Sequence, residues 1–225
     1  MTRIPWPRRI AAVASLDDSN RRRLFGFVAS AQDAVGRDEA AAAVGLPRST
    51  ASFQLDRLVQ DGLLAVEFRK LQAKAGPGSG RPAKLYRPVL EEVGATIPDR
   101  NYDLAGELMV SAIEESMSGG GSVRDALIRT AYSKGKAMGA AGVPFQEVLS
   151  GNGYRPESDG DGGLVLRNCP FHRLADGHAD VVCAMNGAFL SGVASGCGVP
   201  EDRVEEVGVE EDRPAGQCCA RIRPS

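Results

Sequence analysis

Five cysteines and two histidines are the side chains best suited to ligand chemistry in this chain. All of them fall in its last third: Cys169, His172, His178, Cys183, Cys197, Cys218 and Cys219. An odd number of thiols argues against a disulfide framework and toward metal or redox chemistry, because thiolates and imidazoles are the donors that hold zinc and iron–sulfur clusters. Spacing decides which of them can meet. On one straight helix Cys169 and Cys183 would stand about 20 Å apart, at ~1.5 Å of rise per residue, too far for one ion or one small cluster to bridge. Gly177 offers a break. A short helix from Pro170 to Asp176, a turn at Gly177 and a second helix starting near Asp180 return Cys183 toward Cys169. Cys183 then falls in the first turn of the second helix, where the positive helix end favours the thiolate.

A third donor comes from QCCARI, which reads as a final strand. Alternation puts Cys218, Ala220 and Ile222 on one face and Cys219, Arg221 and Arg223 on the other. Cys218 is therefore the preferred inward ligand, with Cys219 as its substitute. A free cysteine also packs well as a small hydrophobe, and Cys197 in SGVASGCGVP is assigned to that class. His172 reads as a helix-surface residue, and His178, beside the turn, as the histidine candidate. The candidate metal set is thus Cys169, Cys183, Cys218, Cys219 and His178. Mixed Cys/His ligation suits zinc, while cysteine-rich ligation suits zinc or an iron–sulfur cluster.

The elements that position these residues divide the chain in two. The net charge of −2 hides an asymmetry: residues 1–90 hold 15 Lys and Arg against 8 Asp and Glu, and residues 91–225 hold 12 against 21. A basic first part suits a phosphate backbone, and an acidic second part does not. The expected division is 1–90, a linker over 91–100 carrying a proline, and 101–225. In the second part a helix from Asn101 to Met117 carries the stripe Ala105, Leu108, Met109, Ala112 and Ile113, which suits either dimer formation or packing within the chain. Val123 to Met138 reads as another helix. VLSGNGYRPE and GGLVLRNC read as a hairpin through SDGDGG.

In the first part, three helices follow one another: Ser15 to Gln32 with Ser15 as N-cap, Gly36 to Val44, and Arg48 to Asp61. Gly45 and Leu46-Pro47 make the turn between the last two. Ala40, Val44, Leu46, Phe53, Leu55 and Leu58 are the expected core. Helix, Gly-containing turn and helix with a polar face is the helix-turn-helix pattern. Arg48, Ser49, Thr50, Ser52, Gln54 and Arg57 on the third helix are types that reach base edges and phosphates in a major groove. LLAVEFRKL and KLYRPVL then read as two strands around the flexible, basic QAKAGPGSGRPAK, the pattern of a wing. Arg69, Lys70, Lys74, Arg81 and Lys84 would meet phosphates or the minor groove. GPGSGRPAK is not a phosphate loop, since it lacks the Gly-Lys-Ser/Thr ending and leads into no helix.

GRDEAAAAVGLPRSTASFQLDRLVQDGLLAVEF followed by GPGSGRPAKLYRP resembles the ArsR/MarR-like winged-helix regulators of high-GC bacteria, nearest to the SufR-like branch of iron–sulfur-responsive repressors. The resemblance covers about residues 15–90 and returns near Cys169. It implies an α+β chain: an N-terminal winged helix-turn-helix and a C-terminal α+β sensing domain of the 4-vinyl-reductase type. In such domains a cysteine after a strand, a second about a dozen residues on and a third in a C-terminal strand hold an iron–sulfur cluster or a metal. Here Cys169, Cys183 and Cys218 or Cys219 stand at those places. His178, His172 or Cys197 would supply a fourth ligand.

The expected function is a homodimeric transcriptional repressor that binds double-stranded DNA under control of a cluster, with zinc as the alternative cofactor. A regulator responding to a small organic ligand is the second reading. Enzymatic activity is not expected: there is no HExxH and no Ser or Cys nucleophile motif, and Glu147 and Asp161 are remote in sequence. No apolar run approaches the ~20 residues of a membrane span. The short apolar stretch Ile10 to Leu16 merges into a charged helix, which reads as a cytoplasmic chain rather than a signal peptide.

Overall fold

The computed structural model describes residues 3–69, 82–89, 92–119, 121–207 and 217–224. Three of the expected basic contacts, Lys70, Lys74 and Arg81, lie outside the described residues. The chain mixes helix and sheet and separates into two compact units: residues 4–95, and residues 96–225 together with 1–3.

In the unit of residues 4–95, the single first helix expected from Ser15 is instead two. Helix α1 spans Trp6–Ser15, started by Pro5 and a proline in its first turn. Helix α2 spans Ser19–Ser30, because the Asp18 side chain accepts the Arg21 backbone N–H at 2.9 Å and so starts a new helix. Ser15 is thus the end of α1 rather than an N-cap, and its hydroxyl donates to the Asp61 carboxylate at 2.7 Å. A short strand β1 (Val35–Gly36) leads into α3 (Arg37–Val44). Gly45 closes α3 in the left-handed region, at φ +69°, where a side chain would be strained. Pro47 then starts α4 (Arg48–Gln60). Strands β2 (Leu64–Arg69) and β3 (Ala83–Pro88) pair antiparallel, and β1 adds to the other edge of β3. Tyr86 sits opposite Val35 on one side and Val66 on the other.

The core of this unit comes from Leu24, Val28, Ala40, Val44, Leu55 and Leu58, with Leu64 and Tyr86 from the sheet. Phe53 is a correction. It was expected inside, yet it is 68% exposed. Leu55 and Leu58 take the inward positions of α4, and Phe53 falls on the outer face with Arg57.

The second unit holds α5 (Tyr102–Gly119), α6 (Val123–Gly139) and α7 (Phe145–Gly151). Strands β4 (Pro156–Ser158) and β5 (Leu164–Leu166) follow, then α8 (His172–Ala175) and α9 (Ala179–Gly196). Strands β6 (Val204–Glu206) and β7 (Ala220–Ile222) complete an antiparallel sheet of order β4-β5-β7-β6. Helix α5 buries Leu104, Ala105, Leu108 and Ala112, while Ile113 of the expected stripe is exposed beside Val110 and Met117.

Helices α6 and α9 touch backbone to backbone. A Cβ on Gly192 would fall 2.1 Å from the Tyr132 carbonyl oxygen, and one on Gly135 would fall 2.1 Å from that of Phe189. Among the described residues, no helix is long and apolar enough to cross a membrane.

Candidate functional site

Gly177, at φ +74°, turns the chain between α8 and α9, so the cysteine segment folds back instead of running on as one helix. Cys169 stands three residues past Leu166, the last residue of β5, and the stretch that leads into β7 brings Cys218 beside it. The Cys218 backbone N–H donates to the Leu166 carbonyl at 2.9 Å. Cys169, Cys218 and Cys219 are all buried in the core of this unit. The alternation expected of QCCARI fails at Cys219. Strand β7 begins only at Ala220, so the bend before it lets both cysteines point inward.

These thiols sit in a line of hydrogen bonds. The Tyr154 hydroxyl donates to Asn186 Oδ1 at 2.5 Å, and Asn186 Nδ2 donates to Cys218 Sγ at 3.1 Å and to Cys219 Sγ at 3.9 Å. The neighbouring Cys218 side chain, acting as a hydrogen-bond partner, is the main cause that lowers the Cys169 pKa below the usual thiol value; burial opposes it, while the Phe171 backbone N–H and the Arg100 charge assist. Cys218 is pushed well above its usual value, first by its bond to Cys169, then by Cys219 and burial. Cys169 is therefore the member of the pair that carries negative charge first. Burial, and then the three thiols, hold the Tyr154 hydroxyl well above its usual pKa, so it stays protonated and able to donate.

The surroundings of Cys169 are held in place by polar side chains. Arg100 Nη1 donates to Asn168 Oδ1 at 2.5 Å and to the Cys169 carbonyl at 2.8 Å. Asn168 Nδ2 donates to the Asp99 and Gly153 carbonyls at 2.7 and 2.6 Å. Tyr154 stacks on Phe189 and meets Phe171 edge-on.

Cys183 is half-buried on α9. It is the fifth residue of that helix rather than part of its first turn, so the helix end acts on it less than expected. With Cys219, Asp180, Glu206 and Arg124 it lines a cavity of about 300 Å³. His178 is exposed at the α9 N-cap and makes no capping bond there. Cys197 is half-buried; its thiol donates to the Gly139 carbonyl at 3.5 Å, and burial raises its pKa, as suits a packing residue.

Three buried thiols, a fourth on an adjoining cavity wall and an amide donating to sulfur fit a group bound through cysteine. The fit to a single ion is poorer. Among the described residues, no three His, Cys, Asp or Glu side chains converge closely enough to hold one. Sequence reasoning overlooked Asn186 and Tyr154. An asparagine inside the otherwise apolar run of α9, flanked by Val182, Met185, Phe189 and Leu190, was the available sign.

In the other unit, α4 turns Arg48, Ser49, Phe53 and Arg57 outward, while Thr50, Ser52 and Gln54 are partly covered. Arg48 and Arg57 each lie 3.2 Å from a carboxylate, Asp38 and Asp61 respectively. Lys84 and Tyr86 of β3 both bond Asp56 of α4, at 2.5 and 2.8 Å, which ties the hairpin to the helix. Arg69 pairs with Glu67.

Comparison of the chain with known protein families, with curated proteins and with solved structures finds no match.

Proposed function

We propose that the chain is a homodimeric DNA-binding transcriptional regulator whose buried cysteines hold an iron–sulfur cluster. Residues 4–95 are read as a winged helix-turn-helix. The observation that carries this is the order of elements: α3, a left-handed turn at Gly45, α4 with an outward row of Arg48, Ser49, Phe53 and Arg57, then at once the antiparallel β2–β3 pair. In this reading α4 enters a major groove and the hairpin lies along the backbone. The exposed pairs Arg48–Asp38 and Arg57–Asp61 cost little to break, since such pairs are worth about 0–1 kcal/mol. Both arginines are thus available to phosphates or guanines.

The second half of the reading rests on the thiols. Cys169, Cys218 and Cys219 would hold the group, with Cys183 on the adjoining wall. A cluster is preferred to zinc on the resemblance to the SufR-like regulators; His178 stands at the surface, so the donors are cysteines, which suit either group. A bound cluster would make the regulator sensitive to iron supply and oxidants. Asn186 donates to two of the sulfurs, and Arg100 places positive charge beside Cys169.

A regulator of the same kind that takes a small organic ligand is the second reading. The cavity of about 300 Å³ favours it, being at the lower end of small-molecule sites.

DNA binding is tested by fluorescence anisotropy on the wild type and on Arg48→Ala and Arg57→Ala. Each substitution is expected to weaken binding without unfolding the chain, and wild-type affinity in both removes the recognition-helix assignment. Iron, sulfide and zinc analysis of protein purified without oxygen tests the other half. Matching iron and sulfide are expected. Colourless, metal-free protein that still binds DNA transfers support to the organic ligand.

A further inference from the structure

The buried amide of Asn186 has no counterpart in the chemistry of packing. It lies on α9 among Val182, Met185, Phe189 and Leu190, 1% exposed, where an apolar side chain of the same size would fill the space. Burying an amide costs about 1–3 kcal/mol unless it is hydrogen-bonded. Its partners are unusual. The oxygen end is taken by the Tyr154 hydroxyl at 2.5 Å, and the nitrogen end faces sulfur, Cys218 at 3.1 Å and Cys219 at 3.9 Å. A neutral thiol is a weak acceptor, while a thiolate or a metal-bound sulfur is a strong one. An N–H donor placed against two adjacent cysteines therefore gains most when those sulfurs carry charge.

Tyr154 supports the orientation in which the amide sits, its hydroxyl donating to Asn186 Oδ1. Its hydroxyl can satisfy Asn186 Oδ1 only while the NH2 group points away, toward the cysteines. The tyrosine is itself fixed by stacking on Phe189, one helical turn from Asn186 on α9, and by its edge-on contact with Phe171. The ring can scarcely move without disturbing two other aromatic side chains.

We infer that Asn186 and Tyr154 are positioning residues for cysteine ligation: the amide hydrogen-bonds the sulfurs of Cys218 and Cys219 in their ligand form, and the tyrosine holds the amide in that orientation. The inference rests on the reading of these cysteines as ligands and names the residues that shape that site. Cys218 and Cys219 become a matched pair in this arrangement, with Cys218 the more strongly held. The doubling of cysteines at the start of β7 thereby acquires a purpose, because one amide group can serve both sulfurs.

The test uses the full chain, freed of metal and kept without oxygen, and reconstitutes it with ferrous iron and sulfide, whose sulfur-to-iron charge-transfer absorption reports on cysteine ligation. Wild type, Asn186→Leu and Tyr154→Phe are compared, with circular dichroism to confirm the fold. The expected result is a charge-transfer band in the wild type, a loss of iron retention against a chelator of roughly 10–100-fold with a shifted band in N186L, and a smaller loss in Y154F. A folded N186L with wild-type iron retention and band position overturns the inference while leaving the ligand site standing. Absence of any such band in the wild type overturns the ligand reading, and this inference with it. Should N186L fail to fold, Y154F decides alone. It keeps the ring stack and removes only the hydroxyl, so unchanged iron retention there overturns the inference.

Discussion

Substituting Gly192 by alanine probes the contact that sets α9, and with it Cys183 and Asn186, against the rest of its unit. The added Cβ would stand 2.1 Å from the Tyr132 carbonyl oxygen and 2.9 Å from the Lys136 nitrogen, both backbone atoms of α6. No side chain can turn aside to make room, so the helices must move apart. Overpacking of this kind costs about 1–3 kcal/mol, and the rigidity of both partners argues for the upper end. Alanine recovers about 1 kcal/mol over glycine in a helix. The clash wins by about 2 kcal/mol.

Gly106 on α5 supplies the opposite sign. It is exposed, nothing lies within 4 Å of where its Cβ would stand, and Gly106→Ala should stabilise by about 0.5–1 kcal/mol. Urea denaturation followed by far-ultraviolet circular dichroism measures both. With a slope of about 2 kcal/mol per molar urea, the midpoint should fall by about 1 M in G192A and rise by a few tenths of a molar unit in G106A. A G192A protein as stable as the wild type would refute the backbone-to-backbone packing of α6 on α9.

The remaining predictions concern the other unit, which contains the single tryptophan, Trp6, as its fluorescent reporter. Leu55 is fully buried, so Leu55→Ala should cost about 2–5 kcal/mol, seen as an earlier urea transition in tryptophan fluorescence. Phe53 is exposed, so Phe53→Ala should leave that transition in place. In the proposed regulator the same change should relax sequence preference, because a phenylalanine on a recognition helix can pack on a thymine methyl; unaltered preference in a selection of binding sites would count against a base contact.

Asp56 links stability to high pH. Its hydrogen bond is the main cause that raises the Lys84 pKa above the ordinary 10.5, and Tyr86 is raised above 10.0 by burial first and by Asp56 second. Both groups bind protons more tightly folded than unfolded. Their contribution is complete below the ordinary values and is lost as pH rises through the folded ones. Asp56→Asn should make that alkaline decline in the urea midpoint shallower. An equally steep decline in the variant would show that Asp56 is not the cause.

Local patterns were legible where one segment contained its own instructions. Helix α3 followed from GRDEAAAAVG, because the glycine that stops it and the acidic first turn lie within it. Helix α4 and strands β2 and β3 emerged similarly from periodicity and turn residues. The break at Gly177 was legible too, since a straight helix would have stranded Cys183. Segments whose meaning depends on neighbours were read less well. Asp18 rather than Ser15 caps α2, and both are acceptable cap residues by type. Phe53 suits a core position by type, but the inward positions of α4 belong to Leu55 and Leu58.

By itself, then, the sequence determined helices α3 to α6, the β2–β3 pair, the charge asymmetry and the clustering of all thiols in one part of the chain, since each depends on composition and short-range spacing. Only the tertiary structure decided that Cys169, Cys218 and Cys219 share one buried group, that His178 stays outside at the surface, and that Tyr154 and Asn186 lead a chain of hydrogen bonds into it. The physical reason is separation along the chain. Cys169 follows β5, Cys218 precedes β7 and Asn186 lies on a helix between them, so the hydrogen bonds of 2.5 and 3.1 Å that run from Tyr154 through Asn186 to Cys218 exist only after sheet and helix have packed.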